Sequence, residues 1–231
     1  MQLDEIMARL RSLANTGSVE GMARYGINPE GTLGVSIPNL RKIAKETGKD
    51  HELAEQLWAT GIHEARILAA FVDDPARVTK KQMNAWAADF DSWDVCDQCC
   101  CDLFYRTRFA WEQAAAWSCR EEEFVKRAAF ALMAGLAWHD KNASDAQLKK
   151  FLPVIKRESY DERNYVKKAV SWALRNIGKR NLNLNQAAIK TAREIEKKDS
   201  RAARWIARDT LRELSGEAVQ RRLQTAAAKK N

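Results

Sequence analysis

The fold is decided by a short stretch that repeats: FVKRAA at residues 124–129 returns as YVKKAV at residues 165–170, 41 residues later. A weaker copy aligns Ile206-Ala207 with Ala169-Val170, at a spacing of 37 residues. Apolar residues recur three and four positions apart, which places them on one face of an α-helix. Periods near forty residues built from helix pairs are typical of HEAT and armadillo arrays. We therefore predict an all-α fold, an α-solenoid of HEAT-like repeats forming a curved array. Coincidental similarity between amphipathic helices is the alternative.

Composition and helix-start patterns agree with this prediction. Four prolines and ten glycines in 231 residues are too few for a turn-rich all-β fold. No linker or low-complexity segment interrupts the sequence, so we expect a single domain over residues 1–231 with about a dozen helices. Four hydroxyl residues, each followed three positions later by Gln or Glu, predict capping boxes at helix starts. They are Thr79/Gln82, Ser118/Glu121, Ser144/Gln147 and Ser159/Glu162.

Cysteine usage and hydropathy bear on location and cofactors. Five cysteines, four of them at positions 96, 99, 100 and 101, suit a reduced compartment better than a disulfide framework. No apolar run approaches the ~18 residues that span a bilayer, and the first residues lack the features of a secretory signal. A second ligand pair at zinc spacing is missing. We expect a cytoplasmic protein with no membrane partner, no metal and no other cofactor, whose cysteine cluster lies on a helix as small apolar side chains.

The positive charge is concentrated in the second half of the chain. The formal net charge is +8, with −4 over residues 1–119 and +12 over residues 120–231. Such a distribution favours a polyanionic partner, most often nucleic acid, bound on a basic concave face of the array. Solvated lysines and arginines on ordinary helix surfaces are the alternative interpretation.

One candidate site lies at Trp93 and Asp97. The two residues are four apart, so a helix beginning near Ser92 places them on one face. An aromatic ring beside a carboxylate suits a cationic ligand, because the ring face and the carboxylate both attract positive charge. The alternative is a core tryptophan with an aspartate that stabilises the first helical turn.

A second candidate is the stripe formed by Lys168, Trp172 and Arg175, at i, i+4 and i+7. A tryptophan between two cations suits a surface where nucleotides meet the ring and phosphates meet the cations. Arg127 occupies the matching place in the earlier repeat. An exposed structural stripe is the alternative.

Known enzyme motifs are otherwise missing: the sequence has no Walker loop, no nucleophile elbow and no His-Glu-x-x-His. His63-Glu64 is interpreted as polar surface or capping residues. The other tryptophans are interpreted as core, and they are Trp58, Trp86, Trp111, Trp117, Trp138 and Trp205.

Three blocks, taken together, resemble the DNA alkylation repair proteins of the AlkD type, which are HEAT-like-repeat DNA glycosylases. The resemblance spans about residues 20–215. The blocks are residues 22–25 with 34–41, residues 92–97, and residues 125–129 with 168–175.

The resemblance implies removal of cationic N3- or N7-alkylated purines from double-stranded DNA by hydrolysis of the N-glycosidic bond, without base flipping and without a metal. The catalytic aspartate falls on Asp97, and the two lesion-flanking tryptophans fall on Trp93 and Trp172. The remaining DNA-contacting positions are Tyr25, Ser36, Arg127, Lys168 and Arg175, with Ser36 standing where the family often has an amide. The implied enzyme is a monomer. A non-catalytic helical-repeat module that binds nucleic acid, and a scaffold that binds an acidic peptide, remain as alternatives.

Overall fold

The computed structural model describes residues 1–229, and every regular element among them is helical. The chain divides into two compact units, Met1–Phe109 and Ala110–Asn231. The single domain expected over residues 1–231 stays a prediction. None of the helices in the described part combines the length and the apolar character needed to cross a membrane.

The first unit is built around a buried helix. Its helices are α1 (Leu3–Ser12), α2 (Thr16–Arg24), α3 (Ile37–Thr47), α4 (His51–Ala59), α5 (His63–Val72), α6 (Lys80–Ala88) and α7 (Trp93–Gln98), followed by a π-helical segment (Cys99–Leu103) and a 3₁₀ turn (Phe104–Arg106). Helix α5 packs against α3, α4, α7 and the π-helical segment. Eight of its ten residues are buried, so α5 is the core element on which the others are positioned.

The second unit contains the predicted repeat. Its helices are α8 (Ala110–Trp117), α9 (Glu123–His139), α10 (Asp145–Lys149), α11 (Phe151–Glu158), α12 (Asn164–Gly178), α13 (Leu182–Glu196), α14 (Arg201–Leu214) and α15 (Glu217–Ala228). Helix α12 packs between α9 and α14, and the three begin 41 and then 37 residues apart. These are the spacings found in the sequence, so the helical-repeat prediction is confirmed.

Side-chain contacts within the second unit follow the same period. Asn176 Nδ2 donates to the Ala134 carbonyl at 3.2 Å, 42 residues away. Ser171 Oγ donates to Asp209 at 2.8 Å across 38 residues. Equivalent helices of successive repeats are therefore joined by polar bonds as well as by apolar packing.

Two of the four predicted capping boxes are confirmed, those of Thr79 at α6 and Ser144 at α10. The predictions at Ser118 and Ser159 were wrong. Ser118 Oγ donates to the Ala115 carbonyl at 2.7 Å, and Ser159 Oγ donates to the Lys156 carbonyl at 2.9 Å. Each of these serines follows the end of a helix and bonds back to it, so the spacing to a later glutamate has no capping role there.

The predictions of buried tryptophans are also confirmed at some positions and wrong at others. Trp58, Trp86 and Trp117 are buried as expected, and the first two stack with ring centroids 4.1 Å apart. Trp138 and Trp205 were expected in the core but are exposed at the surface. Lys141 and Lys167, respectively, lie over their ring faces, within the range of cation–π contact.

Candidate functional site

A cleft of about 370 Å³ in the first unit contains Trp93, and we call it the Trp93 cleft. It opens among α2, α3, α5 and α7, and its walls combine apolar side chains with a few polar groups. The residues that line it are Ser18, Met22, Ile27, Gly34, Val35, Ser36, Ile37, His63, Ile67, Trp93, Asp94 and Gln98. An apolar cleft with a small number of placed polar groups is the usual form of a ligand site.

The start of α7 is held to the loop that follows α2. Trp93 Nε1 donates to the Tyr25 carbonyl at 3.0 Å. The backbone N–H of Asn28 donates to Ser92 Oγ at 2.9 Å, and Asn28 Nδ2 donates to Asp91 at 2.9 Å. Ser92 is the N-cap residue of α7, which begins where the sequence predicted, but its hydroxyl accepts this loop bond and makes no cap bond of its own. These contacts fix the indole of Trp93 while leaving it half-buried.

Asp97 lies one helical turn after Trp93, and α7 spans both residues as the spacing predicted. Its side chain is partly exposed, although it is not among the residues that line the Trp93 cleft. Asp94 lines the cleft instead, and one of its oxygens is 2.9 Å from His63 Nε2. The helix therefore presents two carboxylates, of which Asp94 is bonded to a buried histidine.

His63 was interpreted as a polar surface or capping residue, and the structure corrects this, because His63 is buried and is not the N-cap of α5. It is 4% exposed and lies at the start of α5, facing Asp94. Burial opposes its protonation, but the hydrogen bond and charge of Asp94, followed by Glu64 and Asp91, outweigh it and raise the pKa of His63. This pair could not be predicted from sequence spacing, because its members are 31 residues apart and on different helices.

The raised pKa of His63 predicts a pH dependence of stability. A group whose pKa is higher in the folded protein contributes stability below its unfolded value of about 6.5 and loses that contribution as the pH rises through the folded value. We expect the free energy of unfolding of the wild type to fall, relative to that of His63→Gln, as the pH rises from about 6.5 into the alkaline range, because the ion pair with Asp94 is lost. Denaturant titrations of both proteins across this range measure the difference. Parallel pH curves for the two proteins would contradict the assignment.

Glu64, the neighbour of His63, was likewise interpreted as a polar surface or capping residue, but it is buried. It is 1% exposed, and its carboxylate accepts backbone N–H bonds from Leu33, Gly34 and Val35 at 2.8, 2.6 and 3.1 Å. The loop before α3 is thereby fixed on α5. Ser36 follows directly, exposed at the N-cap of α3 and lining the Trp93 cleft.

In the second unit, α12 carries the predicted stripe. Lys168 is exposed, while Trp172 and Arg175 are partly exposed, so the stripe lies at a surface. Arg175 forms ion pairs with Asp209, at 3.3 Å, and with Glu213. Lys179 also contacts Glu213, at 2.7 Å. A phosphate that reached Arg175 would compete with these carboxylates.

Arg127 differs most from what its predicted role requires. A phosphate-contacting arginine has to be exposed, whereas Arg127 is 6% exposed. Its Nη1 donates to the Tyr165 carbonyl, at 2.7 Å, at the start of α12. The guanidinium thus joins two successive repeats, and this contact cannot be read from the spacing of residues along one helix.

Three of the four clustered cysteines are buried, and the fourth, Cys101, is partly exposed. Cys96 lies in α7, and Cys99 and Cys100 begin the π-helical segment; all three are buried. Burial raises the pKa of the Cys99 and Cys100 thiols well above the usual value, which keeps them protonated and unreactive. Across residues 1–229, no group of three or more His, Cys, Asp or Glu side chains is placed to hold a metal ion.

Comparison with known proteins gives a family and a fold. The family model described as "DNA alkylation repair enzyme" matches residues 6–214. One solved structure matches with a TM-score of 0.77 at 20% sequence identity, covering 92% of this chain and 95% of that chain. It was described as "A new family of proteins related to the HEAT-like repeat DNA glycosylases with affinity for branched DNA structures". This match confirms the helical-repeat fold class.

A designed armadillo repeat protein in complex with the peptide (KR)4 matches with a TM-score of 0.36 at 14% identity, over 83% of this chain and 81% of that chain. That similarity is too low to carry an argument. A search of curated proteins returns no match.

Proposed function

The chain belongs to the DNA alkylation repair enzyme family, and from this premise we propose that it is a DNA glycosylase. Its substrates are cationic N3- and N7-alkylated purines in double-stranded DNA, and it hydrolyses their N-glycosidic bond without flipping the base and without a metal. We propose that it acts as a monomer in the cytoplasm.

The observation that carries the proposal is the pairing of Trp93 and Asp97 on α7, a helix held in place at its start. A partly exposed carboxylate one turn from a fixed, half-buried indole provides the two groups that a cationic nucleotide needs. A protein that bound only phosphates would gain nothing from a carboxylate at this position, because it would repel them.

The reaction requires little acid catalysis. An alkylated purine is positively charged, so it leaves with the electron pair of the C1′–N bond as a neutral base. Positive charge then develops on the sugar as an oxocarbenium-like species, which the carboxylate of Asp97 stabilises electrostatically. Water adds its oxygen to C1′ and gives its proton to Asp97 and then to solvent. The products are a free base and an abasic site.

The other proposed residues bind the substrate. Trp93 and Trp172 contact the cationic nucleotide through their ring faces. Lys168 and Arg175 contact the DNA backbone, and the DNA is also contacted by Ser36, which lines the Trp93 cleft, and by the exposed side chain of Tyr25. Arg127 also belongs to the proposed DNA-binding residues. To contact a phosphate, its guanidinium would have to break its hydrogen bond with the Tyr165 carbonyl.

Two assays test the proposal. Purified protein is incubated with methylated duplex DNA, and free 3-methyladenine and 7-methylguanine are measured; we expect both binding and base release. DNA affinity is also measured between 50 and 200 mM salt, where release of counterions predicts a steep fall, about 10³-fold or more for six or more phosphate contacts. Affinity that barely changes over this range would remove the DNA-groove part of the proposal.

The second candidate function is a nucleic-acid-binding module without turnover. The observation in its favour is that the matching solved structure belongs to proteins described as having affinity for branched DNA structures. If this candidate is correct, the protein binds branched DNA more tightly than linear duplex and releases no base from either.

A further inference from the structure

A second cleft in the first unit, of about 340 Å³, is lined by four cations and only one anion. We call it the basic cleft. Its cations are Arg41 and Lys45 of α3, Lys49 of the loop after α3, and Arg106 of the 3₁₀ turn, and its anion is Asp102. This clustering of cations stands out because residues 1–119 as a whole carry a net charge of −4. Arg41, Lys45 and Lys49 follow one another at intervals of four residues, and the tertiary fold adds Arg106 from a distant segment of the chain.

Most of this positive charge is not neutralised. Arg41 is paired with Asp102 at 3.0 Å, and its guanidinium lies 4.4 Å from the centroid of the Phe71 ring. Lys49 Nζ instead donates to two neutral carbonyls, those of Phe71 at 2.9 Å and Asp73 at 2.8 Å. Arg106 Nε donates to the hydroxyl of Tyr105 at 2.9 Å. Throughout residues 1–229, no carboxylate forms an ion pair with Lys45, Lys49 or Arg106.

The pKa of Lys49 reflects desolvation and the same excess of positive charge in the basic cleft. Desolvation and then the nearby charge of Arg106 lower the pKa of its ammonium group, against the weaker attraction of the aspartates around it. A bound anion would reverse this effect, since it would favour the charged form of the lysine.

The basic cleft adjoins the helix that carries the candidate site. Arg41 Nη2 donates to Gln98 Oε1 at 3.3 Å. Gln98 directly follows Asp97 and also lines the Trp93 cleft. A polynucleotide bound at Trp93 and Asp97 would therefore have its backbone within reach of cations at the far end of α7.

We propose that Arg41, Lys45, Lys49 and Arg106 form a binding site for a backbone phosphate of the same DNA that the Trp93 cleft engages. The inference rests on the proposed function for its ligand. The open shape of the cleft and its four cations suit a phosphodiester held by charge, and arginine adds bidentate hydrogen bonding. The first unit would then bind the DNA backbone itself, although the excess of positive charge lies in residues 120–231.

The test uses the full chain and the double variant Lys45→Ala/Arg106→Ala. Both side chains are exposed, and neither is placed in the catalytic set. Lys49 is left unchanged, because its ammonium also caps carbonyls at the end of α5. The matched control is Arg11→Ala/Lys81→Ala, which removes the same charge from exposed positions of the same unit outside either cleft.

Binding of a fluorescent undamaged duplex is measured by anisotropy against salt concentration. We expect the cleft variant to bind about tenfold more weakly near 0.1 M salt, with the slope of log K against log salt reduced by about one for the lost phosphate contact. The control variant should stay within about twofold of wild type. Equal behaviour of the two variants overturns the proposal.

Further outcomes of these experiments distinguish failure of the basic-cleft site from failure of the proposed function. If wild type binds DNA and releases base while the two variants match, the basic-cleft site fails and the proposed function stands. If wild type binds no DNA, the proposed function fails. If inorganic phosphate at millimolar concentration stabilises wild type against heat but not the cleft variant, and DNA affinity is unaffected, the cleft binds small anions and the proposal is overturned. Circular-dichroism melting of each variant shows whether folding accounts for any loss.

Discussion

Asp97→Asn is expected to slow base release by about 10²- to 10³-fold, the usual effect of removing one group that stabilises transition-state charge. The amide keeps the shape of the side chain but removes the negative charge that opposes the developing oxocarbenium ion. Ground-state binding depends on the cations and the aromatic rings, so the DNA dissociation constant should change little. Single-turnover base release and anisotropy measure the two quantities separately.

The matched control is Asp4→Asn, which removes one carboxylate from an exposed position in the first turn of α1, outside both clefts. It should release base at the wild-type rate. A rate for Asp97→Asn equal to that of Asp4→Asn would end the catalytic assignment. A loss of activity in Asp97→Asn that came with an equal loss of DNA affinity would instead indicate a binding role.

Gly34→Ala is expected to lower the free energy of unfolding by about 2–5 kcal/mol, because two costs combine. Gly34 has φ of +79°, in the region that residues with a side chain avoid. A Cβ there would lie 2.2 Å from the backbone oxygen of Asn15, which cannot move as a side chain end can. Relief of this overlap would also disturb the N–H bonds from Leu33, Gly34 and Val35 to Glu64.

Gly21→Ala supplies the control for Gly34→Ala. Gly21 lies inside α2, and a Cβ added to it would meet nothing within 4 Å. Alanine there should raise stability by about 0.5–1 kcal/mol, since glycine is the poorer helix former. Denaturant titrations of both variants decide the point, and equal effects of the two substitutions would show that the loop before α3 is less constrained than its contacts indicate.

The repeat could be predicted from sequence because it rests on local periodicity. Helices α9, α12 and α14 share an apolar spacing that any α-helix must follow, and their starting residues keep the intervals of 41 and 37 found in the sequence. The placement of Trp93 and Asp97 one turn apart could be predicted for the same reason.

The partners of the site residues could not be predicted in this way. His63 meets Asp94 and Glu64 meets the loop before α3 only because α5 is buried between other helices. Arg127 looks like a surface cation on one helix, but the adjacent repeat covers it and supplies the Tyr165 carbonyl. The serine patterns at 118 and 159 failed because a hydroxyl can bond back to the helix it ends as readily as forward to the next.

The same distinction applies to the charges. Counting lysines and arginines locates the basic half of the chain, but not which of them are neutralised. Arg175 in that half is paired with carboxylates, while Lys45 and Arg106 in the acidic half have no carboxylate partner within the described residues 1–229. Tertiary packing, rather than composition, therefore decides which cations remain available to a phosphate.

The most direct test of the central claim uses a duplex that carries a single 7-methylguanine. An excess of the wild-type protein is incubated with this duplex in the presence of a chelator. Free base and abasic sites are then quantified by mass spectrometry. We predict that free 7-methylguanine and abasic sites appear in equal amounts, at a rate well above spontaneous depurination. Saturated binding of this duplex with no release above the spontaneous rate would contradict it, and would identify the protein as a DNA-binding module without glycosylase activity.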